Sequence, residues 1–213
     1  MPLPLATQSK ASTWPITVGA EGIAAAQFAR CGFDVLVQAG RDKPWYDLAV
    51  TRAGNLLKVS VKASDDGHWD LTQSFSRGRR VTDIAGGLDC RHAIDLWVDS
   101  MASKTICCLV QFEGVSINEL PRMYLAFPQE IAGHMRTGWQ RTGNCVLHEA
   151  YEWTDTEGMS QRVTLPSSWK FSPERIQALL SSLAAPAPGP VPVKSYAVTA
   201  TSQSAKCELV FGT

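Results

Sequence analysis

The chain has 213 residues, 45% of them hydrophobic and 19% charged, which is enough apolar material for one globular core. Its formal net charge is zero, so the composition argues against strong nonspecific affinity for nucleic acid, whose binders often carry a basic surplus. No segment approaches the length of a membrane span, and residues 1–15 lack the pattern of a secretory signal. We therefore expect a cytoplasmic protein with no membrane segment.

The six cysteines give no sign of a zinc site, because no Cys-x-x-Cys pair and no Cys/His spacing of the zinc kind occurs. Cys107 and Cys108 lie in an apolar run, where buried thiols behave as small hydrophobes. Together with the expected cytoplasmic location, this usage predicts reduced thiols.

Composition divides the chain into three parts. Residues 1–14 are polar and contain prolines, which indicates a loose arm, and residues 15–183 form the predicted α/β domain. Residues 184–213 begin with a proline-rich stretch of extended character and continue as a C-terminal tail.

The domain opens with a predicted helix over Gly19–Arg30, which ends at Cys31-Gly32 because glycine commonly follows the last helical residue. Glu21 falls in the first turn of this helix, where the dipole favours a carboxylate whatever its function. Three strands are predicted next, over Phe33–Gln38, Tyr46–Thr51 and Leu56–Ala63.

The second and third strands are predicted to form a hairpin that brings Asp47 and Lys62 together. An even loop centred on Ala53-Gly54 sets Asp47 opposite Ser60, with Lys62 one step diagonal to it. Side chains alternate between strand faces, so one face is apolar and suits a core: Tyr46, Leu48, Val50, Leu57, Val59 and Val61. The other face carries Asp47, Ala49, Thr51, Lys58, Ser60 and Lys62. A slip of one residue would scramble this separation, which therefore supports the register.

A carboxylate and a lysine on one strand face have a chemical use, since the carboxylate can hold a divalent cation and the lysine can orient a water against a phosphodiester. The segment resembles the PD-(D/E)xK nuclease superfamily, with Holliday-junction resolvases and small restriction-type endonucleases the most similar. The matching pieces are Gly19-Ala20-Glu21, Gly32-Phe33-Asp34-Val35, Tyr46-Asp47-Leu48 and Ser60-Val61-Lys62.

The resemblance implies an α/β fold with a restriction-endonuclease-like core, in which helices flank a mixed central sheet, followed by a C-terminal extension. It implies that Asp47 is the main ligand of Mg²⁺ or Mn²⁺, with Glu21 a second acidic ligand and the backbone carbonyl of Val61 a further one. Lys62 would be the catalytic lysine. Ser60 departs from the pattern, because it is a poor magnesium ligand where the family has an acidic or amide residue.

The rest of the chain is predicted to continue as alternating strands and helices. The predicted elements are a strand over His68–Thr72 at the sheet edge, an ambiguous segment over Val81–Cys90, strands over Ile94–Asp99, Thr105–Phe112 and Arg122–Phe127, a helix over Pro128–Met135, a hairpin of Asn144–Trp153 with Gln161–Leu165, and a helix from Ser172-Pro173 to Leu183.

Basic residues near the hairpin are candidates for contacts with DNA phosphates. They are Arg77, Arg79 and Arg80, together with Lys58 and His68. The sequence thus predicts a metal-dependent DNA endonuclease, and its alternative is a nuclease-fold module that has lost catalysis and serves binding or regulation. Taken singly, Glu21, Asp47 and Lys62 each also fit a structural role. The sequence leaves open whether the protein forms a homodimer.

Overall fold

A computed structural model describes residues 14–38, 46–76 and 88–184. The basic cluster of Arg77, Arg79 and Arg80 lies outside these ranges, as does the C-terminal tail. The elements in chain order are α1 (Trp14–Arg30), β1 (Asp34–Val37), β2 (Leu48–Arg52), β3 (Asn55–Ser64), β4 (His68–Trp69), α2 (Gln73–Ser76), α3 (Leu88–Ser100), β5 (Thr105–Gln111), β6 (Arg122–Ala126), α4 (Pro128–Thr142), β7 (Leu147–His148), β8 (Ala150–Thr154), β9 (Ser160–Thr164) and α5 (Pro173–Ala184).

The central sheet has five strands in the order β1-β2-β3-β5-β6. β1, β2 and β3 pair antiparallel, β3 pairs with β5 in parallel, and β5 pairs with β6 antiparallel. A parallel pair needs a crossover connection, and here the crossover contains α3. The α/β architecture with a mixed sheet flanked by helices, predicted from the sequence, is confirmed.

The hairpin register is also as predicted, since Arg52 pairs with Asn55 and the ladder continues to Leu48 and Val59. Ala53 and Gly54 both have positive φ angles, of 50° and 79°. A two-residue turn with positive φ at both positions matches the right-handed twist of the flanking strands. The alanine in the left-handed region is therefore tolerated for the sake of the tight connection.

The two faces of the sheet pack against different helices. One face buries Leu48, Val50, Leu57, Val59 and Val61 beneath α1 and α5, which confirms the predicted apolar face of the hairpin except at Tyr46. Tyr46 is half-buried and contacts the ammonium of Lys58 through its ring instead of joining this core. The opposite face buries side chains of β5 and β6, including Cys107, Leu109 and Ala126, beneath residues of α3 and α4. β5 lies between these two layers and is buried along its whole length.

The strand predicted over Ile94–Asp99 is wrong, because these residues belong to α3. Ala93, Ile94 and Trp97 are buried on one side of this helix, at the spacing of an amphipathic helix. The short apolar run resembled a buried strand, but the parallel pairing of β3 and β5 places a helix at this point of the chain.

The first helix begins earlier than predicted, at Trp14, and no acidic residue lies in its first turn. Glu21 is therefore in the helix interior, so the dipole argument for a carboxylate at a helix start does not apply to it. Pro15 is compatible with this start, because proline is tolerated in the first turn of a helix.

The strand predicted at the sheet edge over His68–Thr72 is replaced by β4, which pairs with β7 in a separate two-stranded sheet. The second hairpin is confirmed as β8 and β9, which pair from Ala150 with Thr164 to Thr154 with Ser160. Its first strand begins only at Ala150, because Leu147 and His148 pair with β4 instead. No helix in the described ranges combines the length and the apolar character that a bilayer span requires.

The prediction of reduced thiols is wrong for two cysteines, because Cys90 and Cys145 form a disulfide with a Cα–Cα distance of 5.4 Å. This distance lies within the usual range for disulfides. The bond joins the beginning of α3 to the segment after α4, two places that the sequence separates by 55 residues. Cys31, Cys107 and Cys108 are free thiols, and the last two are buried as predicted.

Candidate metal and nucleic-acid site

Asp47 lies just before β2 and its side chain is hydrogen-bonded to β3. Its backbone N–H donates to the carbonyl of Val59 at 2.8 Å, and its carboxylate oxygen Oδ2 accepts the backbone N–H of Val61 at 2.7 Å. The carboxylate therefore continues the hydrogen bonding of β3 beyond the last paired residue of β2. This bond fixes where the acidic group lies.

The backbone carbonyl of Val61 points toward the same space as the carboxylate of Asp47. In a strand, the N–H and the C=O of one residue point to the same side, and successive residues alternate sides. The N–H of Val61 is directed at Asp47, whereas Lys58 and Ser64 make backbone bonds on the β5 side. Beyond the end of β2, the Val61 carbonyl is thus directed to the side where Asp47 lies.

Ser60 and Lys62 lie on the polar face of β3, beside β5. Ser60 is 3% exposed and pairs with Cys107, while Lys62 is half-buried and pairs with Leu109. The backbone carbonyl of Lys62 accepts the indole N–H of Trp69 at 3.0 Å, which holds this part of β3 in place.

The Cys107 thiol responds to both charged residues of the site. Burial raises its pKa to about 12, the positive charge of Lys62 lowers it, and the negative charge of Asp47 raises it. The carboxylate and the lysine are therefore close enough to act on one buried group. At neutral pH this thiol stays protonated and is not a nucleophile.

Glu21 lies in a different layer of the fold from Ser60 and Lys62. Its helix packs against the sheet through Ala20, Ala24 and Phe28, on the face opposite to Ser60 and Lys62. Glu21 itself is half-buried. Its participation beside Asp47 stays a prediction. Within the described ranges, no group of three or more His, Cys, Asp or Glu side chains is arranged to hold a metal ion.

A group of protein ligands with few carboxylates can still bind magnesium. Magnesium usually keeps several waters and binds one or two carboxylates together with substrate phosphate. The carboxylate of Asp47 and the carbonyl of Val61 are hard oxygen donors on adjacent strands. With Glu21 they would form the protein part of such a site. Ser60 adds a hydroxyl at most.

The polar face of β1 and β2 is accessible next to this site. The core cluster on that side takes its sheet residues from β5 and β6, and Leu36 of β1 is 65% exposed. Ala49 and Thr51 of β2 are half-buried. The row of Asp47, Ser60 and Lys62 therefore lies at the border between a covered and an open part of one sheet face.

The predicted phosphate-binding residues are only partly brought together. Lys58 lies two positions before Ser60 on the same face, with its ammonium 5.5 Å from the centre of the Tyr46 ring. His68 lies on the smaller sheet, where its ring nitrogen Nδ1 is 3.2 Å from a carboxylate oxygen of Asp66 and its ring centre is 5.8 Å from that of His148.

Sequence reasoning missed a second polar cluster, built by Arg122, Tyr124 and Glu149. Two guanidinium nitrogens of Arg122 donate to the two carboxylate oxygens of Glu149 at 2.7 and 2.8 Å, and the Tyr124 hydroxyl donates to the same carboxylate at 2.6 Å. The cluster lines a cavity of about 690 Å³ beyond the ends of β3 and β5. No local spacing in the sequence could have indicated it, because 27 residues separate Arg122 from Glu149.

No known protein family matches the sequence, and no curated protein matches it. Among solved structures, the bacterial homing endonuclease I-Ssp6803I is similar to the chain, with 19% sequence identity and a TM-score of 0.41. The similarity covers 81% of this chain and 94% of the homing endonuclease. The chain is an α/β protein with a mixed five-stranded sheet. At this level, its likeness to the homing endonuclease assigns it no activity, substrate or partner.

Proposed function

We propose that the protein is a metal-dependent DNA endonuclease that hydrolyses phosphodiester bonds. The observation that carries the proposal is the bond between the Asp47 carboxylate and the Val61 N–H, which holds an acidic group one residue from Lys62. The accessible sheet face beside this row gives a polymeric substrate room to approach. The sequence pattern of the segment supports the same assignment.

Each residue has a role that follows from its position. Asp47, the Val61 carbonyl and Glu21 would hold Mg²⁺ or Mn²⁺, which supplies charge stabilisation and a more acidic water when bound. The ammonium of Lys62 would attract the phosphate, orient the attacking water and offset negative charge that develops on the phosphate oxygens. Lys58, His68 and the arginines at 77, 79 and 80 would contact the phosphate backbone.

Cleavage of plasmid, single-stranded and branched DNA with Mg²⁺ or Mn²⁺ tests the proposal. Asp47→Asn and Lys62→Met should each lower the cleavage rate by about 100-fold or more, the usual range for positioned catalytic groups. Lys104→Met is the matched control, because Lys104 lies in the turn before β5 and is exposed. Cleavage that persists unchanged in both site variants would place the activity elsewhere.

A nuclease-fold module without catalysis is the second candidate, favoured by the serine at position 60 and by the zero net charge. Both features weaken the affinity for a metal ion and for DNA. Calorimetric titration of Mn²⁺ into the protein, alone and with DNA, separates the candidates. Binding that disappears in Asp47→Asn supports the enzyme, and DNA binding without any metal binding supports the module.

A further inference from the structure

Gln38 is the cross-strand neighbour of Asp47. Its backbone N–H donates to the carbonyl of Asp47 at 2.9 Å, which continues the β1–β2 register beyond the pair of Val37 and Leu48. Gln38 alternates with Leu36, which pairs with Ala49 on the polar face. The side chain of Gln38 therefore belongs to the face that carries Ser60 and Lys62.

The side-chain carbonyl of Gln38 is unusual in its lack of a hydrogen-bond partner. Its oxygen Oε1 is buried and has no hydrogen-bond partner in the part of the chain that the structure describes. Buried polar atoms are nearly always paired, and an exception in a folded protein needs an explanation, for which a bound water or ion is one candidate. By register, Gln38 lies beside Asp47, whose carboxylate is in turn bonded to the N–H of Val61 in the next strand.

We propose that the Gln38 side-chain oxygen is a ligand of the cation held by Asp47, an inference that rests on the proposed function. The ligands would then come from three adjacent strands: Gln38 after β1, Asp47 before β2 and Val61 in β3. Neighbouring strands lie about 4.8 Å apart. Two oxygens on opposite sides of a magnesium ion lie about 4 Å apart, so the spacing suits the neighbouring pair of Gln38 and Asp47, whereas Val61 lies one strand further from Gln38.

This assignment adds an oxygen donor that position 60 lacks. Ser60 supplies neither a carboxylate nor an amide oxygen. Gln38 offers an amide oxygen from the strand on the other side of Asp47, so the number of oxygen donors is restored without a second carboxylate. A neutral amide adds no charge repulsion to Asp47 when the ion is absent.

Calorimetric titration of Mn²⁺ into full-length variants tests the ligand. Gln38→Met keeps the size of the side chain but removes the oxygen, and should weaken Mn²⁺ binding by about tenfold or more. Gln38→Glu keeps an oxygen donor and adds charge, so it should bind Mn²⁺ at least as tightly as the wild type. The control is Gln161→Met, an exposed position in β9, which should leave the affinity unchanged.

Thermal unfolding in chelator supplies a second readout that separates a ligand from a structural glutamine. Without metal, Gln38→Met should unfold at the same temperature as the wild type or higher, because it removes an unpaired buried acceptor. A lower unfolding temperature with unchanged Mn²⁺ affinity would overturn the inference.

The two proposals fail in distinguishable ways. If Mn²⁺ binding depends on Asp47 but is the same in Gln38→Met, only the role of Gln38 is overturned. If the wild type binds no Mn²⁺ with or without DNA, both the proposed function and this ligand are overturned.

Discussion

The Asp47 carboxylate accepts the backbone N–H of Val61 at 2.7 Å, so the candidate metal ligand also satisfies a backbone donor in β3. The Asp47 carboxylate thus stabilises the fold through this hydrogen bond and is also the proposed ligand of the metal ion. A substitution of Asp47 affects the hydrogen bond and the metal ligand together. The choice of replacement residue separates the two effects.

Asp47→Asn should fold almost as stably as the wild type, because an amide oxygen can still accept the Val61 N–H. Asp47→Ala leaves that N–H without its partner and should lower the free energy of unfolding by about 1–2 kcal/mol. Urea denaturation at neutral pH measures the difference. Both variants should lose Mn²⁺ binding, and equal stability of the two would show that the hydrogen bond contributes little.

Ser60→Glu should make stability depend on metal. Ser60 is 3% exposed, so a carboxylate there is costly in the absence of a cation and adds negative charge next to Asp47. We expect a lower unfolding temperature in chelator, recovery with Mg²⁺ or Mn²⁺, and higher nuclease activity. The recovery should vanish when Asp47→Asn is added, as differential scanning calorimetry can show. A variant equally stable with and without metal would argue against a cation site on this face.

Glu149 should contribute stability that depends on pH. Burial raises the pKa of its carboxyl, but hydrogen bonds from Arg122 and Tyr124 lower it by more, so the net pKa lies below the ordinary value of 4.5. A carboxyl with a depressed pKa stabilises the fold fully above its unfolded value, and this stabilisation is lost as the pH falls through the folded value. The loss should therefore occur below about pH 4.5.

Glu149→Gln should cost about 1–3 kcal/mol of unfolding free energy at pH 7, and should reduce the decline in stability below pH 4.5. Glu152→Gln is the matched control, because its ion pair with Arg162 has an N–O distance of 3.8 Å and both side chains are 68% exposed. Such exposed pairs contribute between zero and about 1 kcal/mol. Unfolding in urea at several pH values measures both variants, and equal effects would contradict the importance of the half-buried cluster around Glu149.

Reduction of the Cys90–Cys145 disulfide should destabilise the protein by about 2–4 kcal/mol, because the bond restricts a long loop in the unfolded chain. Thermal unfolding with and without a thiol reductant measures the effect. The double variant Cys90→Ser, Cys145→Ser should unfold like the reduced protein and should not respond to reductant. A response that persists in the double variant would have to come from another cysteine.

The local part of the fold could be predicted from the sequence, and the non-local part could not. The turn at Ala53-Gly54 and the alternation on either side of it determine the hairpin register, which the structure has unchanged. The run Ile94–Asp99 was mispredicted because six apolar-rich residues fit a strand or a helix, and only the parallel pairing of β3 with β5 decides between them.

The same limit applies to the candidate site: its local part could be predicted from the sequence, and its non-local part could not. The register of the hairpin predicts that Asp47, Ser60 and Lys62 share one strand face. The hydrogen bond from the Val61 N–H to the Asp47 side chain depends on how β2 ends, which the register does not give. Gln38 could have been found by extending the same counting to β1. Arg122 and Glu149 lie on elements joined only through tertiary packing, so no pattern in the sequence connects them.

The antiparallel run of β1, β2 and β3 contains every proposed cation ligand except Glu21, within residues 38–61. Bringing these groups together requires closing only short loops, whose entropic cost is small, whereas the parallel pairing of β3 with β5 must wait for a long crossover to close. The cation ligands would therefore assemble early in folding. A metal ion in the refolding buffer would act on the first stage of folding, before the cavity at Arg122 exists.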